Sequence, residues 1–154
     1  MSRAFVREQD SGTIEDLPDR PVSEYPNDVT EEGMAQIEGA LAEARAAHAS
    51  AQASTDRASI AASAREVRYW SARRATAHVV DAPADNSQAR FGSTITILRN
   101  DGREQTFRIV GEDEADPAKG SISHASPLAR AMLGKGVGDV VRAGNDDAEI
   151  TAIE

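Results

Sequence analysis

From Thr30 to His78 the chain has no proline, and its only glycines are Gly33 and Gly39. Few folds accommodate so long a stretch free of breakers and rich in alanine, because alanine is the best helix former and offers little side chain to pack. Thr30 has the character of an N-cap, and Glu31 and Glu32 follow it where carboxylates favour the helix dipole. Met34, Ile37, Leu41, Ala44 and Ala51 recur at a spacing near 3.5 and form one apolar stripe. Ile60, Ala64 and Val67, with Trp70 on the flank, form a second. The run Ser50 to Asp56 between them is the weakest helical stretch, and Ser54, Thr55 or Asp56 can cap a new helix. The pattern predicts an antiparallel hairpin of two arms of ~20 residues, each ~30 Å long. One uninterrupted helix is the alternative.

The period changes after Ala82-Pro83 and the polar run Ala84 to Gln88. Ser93 to Arg99 and Glu104 to Val110 alternate with period two, placing Ile95 with Ile97 and Phe107 with Ile109. The Asp101-Gly102 step between them signals a β-hairpin. Ile122 marks a short third strand, and Ser126-Pro127 opens a short helix through Met132, ended by Gly134, Gly136 and Gly138. Asp139 to Arg142 and Ala148 to Ile153 make two further strands. The C-terminal half is thus predicted to be α+β, a small twisted sheet with one short helix.

Residues 1–28 carry Pro18, Pro21 and Pro26 and five acids between Glu15 and Asp28, without sustained periodicity. They read as a flexible acidic arm. The expected organisation is therefore an arm over 1–28, a helical hairpin over 29–81 and an α+β domain over 82–154.

Composition narrows the chemistry. Aromatic residues are 4% of the chain, too few for a large aromatic-lined pocket. A net charge of −9 argues against coating DNA through its phosphates and fits a protein-binding protein. The absence of cysteine excludes disulfides and thiolate chemistry. His48, His78 and His124 lack metal-ligand spacing, and no nucleophile–base pair stands out, so the chain reads as no enzyme. Neither a signal peptide nor a membrane span is visible, and the expected location is the cytoplasm.

Four blocks carry a family resemblance: Arg90 to Thr96, Ile109 to Pro117, Ile122 to Lys135, and Gly138 to Val141. In this order they resemble the C-terminal domain of the Gre-type transcription elongation factors (the GreA/GreB superfamily). Val29 to Met34, Val67 to Trp70 and Val79 to Asp81 are similar to the ends of that family's coiled coil. The resemblance implies an N-terminal antiparallel α-helical hairpin, or coiled coil, followed by an FKBP-like twisted antiparallel sheet with one short helix. It also implies a monomer whose partner is bacterial RNA polymerase, with the domain docked at the rim of the secondary channel and the coiled coil entering it.

The hairpin departs from the pattern. Each arm is two turns or more short, about 10–15 Å of reach. The family's acidic pair at the tip is absent, and only Asp56 lies nearby, with Glu66 ~15 Å further along a helix. A short coil without an acidic pair also resembles the nucleoside diphosphate kinase regulator branch. The reading is a factor that docks at the secondary channel and regulates transcription without strong transcript-cleavage stimulation. The alternative is a cleavage-stimulating elongation factor acting through Asp56 alone, the sole candidate tip acid, which otherwise reads as a helix cap. A peptidyl-prolyl isomerase is suggested by the fold alone, and Phe91 and Phe107 are too few aromatics for its pocket.

By the resemblance, Ser126, Pro127, Leu128 and Arg130 meet the polymerase rim, with Ala125 replacing a family-like acid just before them. Arg57, Arg65 and Arg68 approach RNA or acidic channel walls, an indirect nucleic-acid contact, or else form a solvated face paired with Glu38 and Glu43. No cofactor of its own is implied. The Mg²⁺ of the polymerase active site enters only if the protein stimulates cleavage.

Overall fold

The computed structural model describes residues 17–154, so the first part of the acidic arm, residues 1–16, lies outside the described residues. The chain divides into two compact units. One contains residues 17–23 and Glu38–Ala75, and the other Glu24–Ile37 and Thr76–Glu154.

The hairpin unit holds most of helix α1 (Glu31–Ser54) and of helix α2 (Arg57–Thr76), which run antiparallel there. His48 Nδ1 lies 3.0 Å from Ser63 Oγ, and Arg74 Nε lies 3.0 Å from Glu38 Oε1, two pairings with one antiparallel register. The break is at Thr55, whose φ of 59° is left-handed, an unusual conformation for a β-branched residue. On α1, Ile37, Leu41, Ala44 and Ala51 are buried as expected, whereas Met34 is half-buried. The second stripe is shifted. Ala61 and Ser63 are the buried positions facing inward from this stretch, while Ile60, Ala64, Val67 and Trp70 are half-buried. Alanines and serines, together with Glu43, Glu66 and Trp70, line a groove of about 910 Å³ along the two helices. Arg73 is 2% exposed, a burial that alanine-based patterning did not foresee.

Within the stretch expected to be a flexible acidic arm, Asp19 and Arg20 contact α2. The Arg20 guanidinium sits 3.7 Å from the centre of the Tyr69 ring and 2.8 Å from Glu66 Oε2. Cation–π contact and the ion pair act on the same group, which offsets the cost of ordering an extended segment.

In the sheet unit the strand order is β5-β4-β3-β7-β6, built from β3 (Thr94–Arg99), β4 (Glu104–Val110), β5 (Ser121–Ser123), β6 (Val140–Ala143) and β7 (Asp146–Ile153). The antiparallel sheet expected from sequence is in fact mixed, because β5 pairs parallel to β4. A parallel neighbour needs a crossover, here the segment 111–120 with its 3₁₀ turn Pro117–Lys119. An irregularity between Thr96 and Ile97 opposite β7 adds local twist. Ile95, Ile97, Ile109, Ile150 and Met132 of helix α3 (Pro127–Met132) are fully buried and form the centre of the core. A second, unforeseen pairing is the two-residue parallel ladder of β1 (Asp28–Val29) and β2 (His78–Val79). It ties the entry to α1 to the exit from α2.

Candidate docking surface and hairpin tip

The start of α1 is fixed by a carboxylate from the sheet unit's crossover. Thr30 caps the helix, accepting from Gly33 N at 3.0 Å. The Glu114 carboxylate in turn accepts from Thr30 N at 3.0 Å and from the Thr30 hydroxyl. An anion at a helix N-terminus gains from the dipole as well as from the hydrogen bonds. A Cβ at Gly33 would lie 1.8 Å from Glu114 Oε2 and push that carboxylate off Thr30, and at Gly111 one would lie 2.7 Å from the backbone oxygen of Asp28. No periodicity in the sequence pointed to Glu114, because the contact joins residues far apart in the chain.

The four expected docking residues sit together around the start of α3 but face different ways. Ser126 is the N-cap, its side chain accepting from Ala129 N at 3.3 Å. Pro127 occupies the first helical turn and is exposed. Leu128 packs against the core and is half-buried, so much of its apolar surface is already used internally. Arg130 is exposed, and its Nη1 donates to Tyr25 Oη at 3.1 Å. Pro127 and Arg130 are thus the two of the four that present themselves outward. Phe91 and Phe107, the aromatics that an isomerase pocket would need, pack against the core.

At the tip, Asp56 is the N-cap of α2. Ser59 Oγ donates to Asp56 Oδ2 at 2.6 Å, and this hydrogen bond, with those from the Ala58 and Ser59 backbone, holds the exposed carboxyl below its ordinary pKa. Asp56 is the only acid between Glu43 and Glu66 in the sequence. Among the described residues there is no group of three or more His, Cys, Asp or Glu side chains able to hold a metal ion.

The three arginines of α2 are not equivalent. Arg57 and Arg68 flank a hollow of about 200 Å³ floored by Ile60, Ala61 and Ala64. Arg65 is half-buried. Arg68 Nε lies 2.5 Å from Asp19 Oδ1, not from Glu38 or Glu43 as expected. Glu38 pairs with Arg74 instead, because the two lie opposite each other in the antiparallel register. His48 is the residue missed in the seam. It falls on the 37-41-44-48-51 spacing and is half-buried, which the heptad offset alone would have revealed.

The fold of the C-terminal half, the cap at Ser126-Pro127 and the Glu114 junction all lie in or next to the sheet. A family profile for the C-terminal domain of the GreA/GreB transcription elongation factors matches residues 84–154. Residues 84–154 are thus similar to the C-terminal domain of that family. GreB of Neisseria meningitidis serogroup B is 42% identical over 96 residues, covering 58% of this chain and 59% of that protein. GreA of Hyphomonas neptunium is 52% identical over 67 residues, covering 42% of this chain and 43% of that protein. The chain therefore spans less than two thirds of the length of these Gre relatives. Similarity to solved structures is looser. Gfh1 of Thermus thermophilus, a GreA factor homolog, is 19% identical with a TM-score of 0.40, covering 84% of this chain and 99% of that one. The GreA/GreB factor from Nitrosomonas europaea is 19% identical with a TM-score of 0.41, covering 82% and 97%. Among the described residues, no helix is long and apolar enough to cross a membrane.

Proposed function

We propose that this chain is a cytoplasmic, monomeric Gre-type factor that binds bacterial RNA polymerase. It docks at the secondary channel through the surface around Ser126, Pro127, Leu128 and Arg130. It regulates transcription without strongly stimulating transcript cleavage, and it catalyses no reaction of its own. The observation that carries this reading is the tip. Its one acid, Asp56, serves as a helix cap, and no second carboxylate accompanies it between Glu43 and Glu66. Stimulated cleavage requires carboxylates that help hold a second Mg²⁺ and orient water, and two-metal chemistry tolerates little misplacement. Arg57, Arg65 and Arg68 would give α2 an indirect contact with nucleic acid inside the elongation complex. The protein needs no cofactor.

The second reading is a cleavage-stimulating factor that works through Asp56 alone, using the polymerase's own Mg²⁺. The favouring observation is that Asp56 is fully ionised at neutral pH and solvent-facing. A cleavage assay on a backtracked elongation complex separates the two. The expected result is binding to polymerase with little extra cleavage. Strong cleavage by the protein alone, abolished by Asp56→Ala, would establish the second reading.

A further inference from the structure

One stretch of the arm makes contacts at both surfaces named above, each within its own unit. In the hairpin unit, Asp19 pairs with Arg68 at 2.5 Å. Its neighbour Arg20 is held by Glu66 at 2.8 Å and by the rings of Tyr69 and Trp70, at 3.7 and 5.6 Å from their centres. In the sheet unit, Tyr25 accepts from Arg130 at 3.1 Å and lies beneath its guanidinium, 5.7 Å from ring centre to Cζ. Pro18, Pro21 and Pro26 punctuate this stretch. Proline fixes φ and favours extended backbone, which lowers the entropy lost when such a segment lies along a surface.

We propose that residues 19–25 form an internal strap that competes with RNA polymerase for Arg68 and Arg130. The inference rests on the docking reading and adds regulation to it. The chemistry of the two contacts is that of a mimic. A carboxylate occupies the arginine offered to anionic groups, and a phenol occupies the arginine offered to the polymerase rim. Arg20 touches neither functional arginine and instead anchors the strap to the aromatic pair at the base of the hairpin. A segment that only stapled the hairpin would need the Arg20 anchor but no contact at Arg68 or Arg130. Each competing contact is solvent-exposed and therefore weak, so polymerase can displace it at modest cost.

The test uses the full chain and purified bacterial core RNA polymerase, with helicity checked by circular dichroism. Asp19→Asn combined with Tyr25→Ala is expected to tighten binding by about 3- to 10-fold, the range two exposed contacts supply. Arg20→Ala is expected to tighten it as well, although it removes neither mimic. Hydrogen exchange across residues 17–25 should quicken when polymerase is bound to the unaltered protein. Normal binding that is unchanged or weaker in both variants, with exchange in this stretch unaltered, would overturn the strap and leave the docking reading standing. Failure of the unaltered protein and of both folded variants to bind polymerase would overturn the docking reading, and the strap's role with it.

Discussion

Two carboxylates show how one side chain can decide a local structure. Asp56 ends the tip and starts α2 through Ser59 and the first free backbone N–H groups. Its folded pKa is depressed from an ordinary value of 3.8, so its stabilisation is present above that value and is lost as pH falls through the lower folded value. Acid titration of helicity is expected to show a loss in this window that Asp56→Asn, which still caps, removes. Asp56→Ala should lower the hairpin's melting midpoint at neutral pH by on the order of a few degrees. A titration curve identical in the unaltered and Asn proteins would exclude Asp56 as the group responsible. Glu114 acts at the other end of the hairpin, where it takes both donors of Thr30. Glu114→Ala leaves the buried Thr30 without that acceptor and is expected to cost about 1–3 kcal/mol by denaturant unfolding. Gly33→Ala should cost a comparable amount, because its Cβ would fall on the Glu114 carboxylate.

The hairpin is held by a thin seam of alanines with one polar pair, His48 and Ser63. Polar residues at core positions of helical pairs fix register at some cost in stability. Ser63 Oγ also donates to Ser59 O at 2.7 Å, so it keeps a partner when His48 is changed. His48→Leu is therefore expected to raise hairpin stability by about 1 kcal/mol through added apolar burial. A fall in the melting midpoint would mean that the pair holds the helices together as well as in register. The β-elements show a different logic. Strand periodicity identified β3 and β4, and in β3 the alternation buries Ile95 and Ile97 fully. Strands β1 and β2, which pair with each other, are two residues each, too short for any periodicity, and pair where the entry to α1 meets the exit from α2.

For the whole protein, the central expectation is competition. On the proposed docking, one rim site holds one domain, and the protein is then expected to lower cleavage by a longer Gre factor in a concentration-dependent, saturating manner. Pro127→Ala with Arg130→Glu should abolish this effect, since these are the outward-facing members of the docking set. Asp56→Ala should leave it nearly intact. Competition that survives the double change in a folded protein would place the docking surface elsewhere.

The sequence by itself determined the long helical stretch with its weak point between Ser50 and Asp56, the Ser126-Pro127 cap and the strands of the C-terminal half, together with the family blocks spread through them. These rest on local signals: the change from helical to strand period, the caps, and the glycines and prolines that end elements. Tertiary structure alone decided the parallel placement of β5 beside β4, the inward rotation of α2 onto Ala61 and Ser63, the Glu114 carboxylate on Thr30, and the separate contacts of Asp19, Arg20 and Tyr25. Each of these joins residues far apart in the chain. Their partners are chosen by which charges, rings and cavities meet when the elements pack, and no local period carries that information.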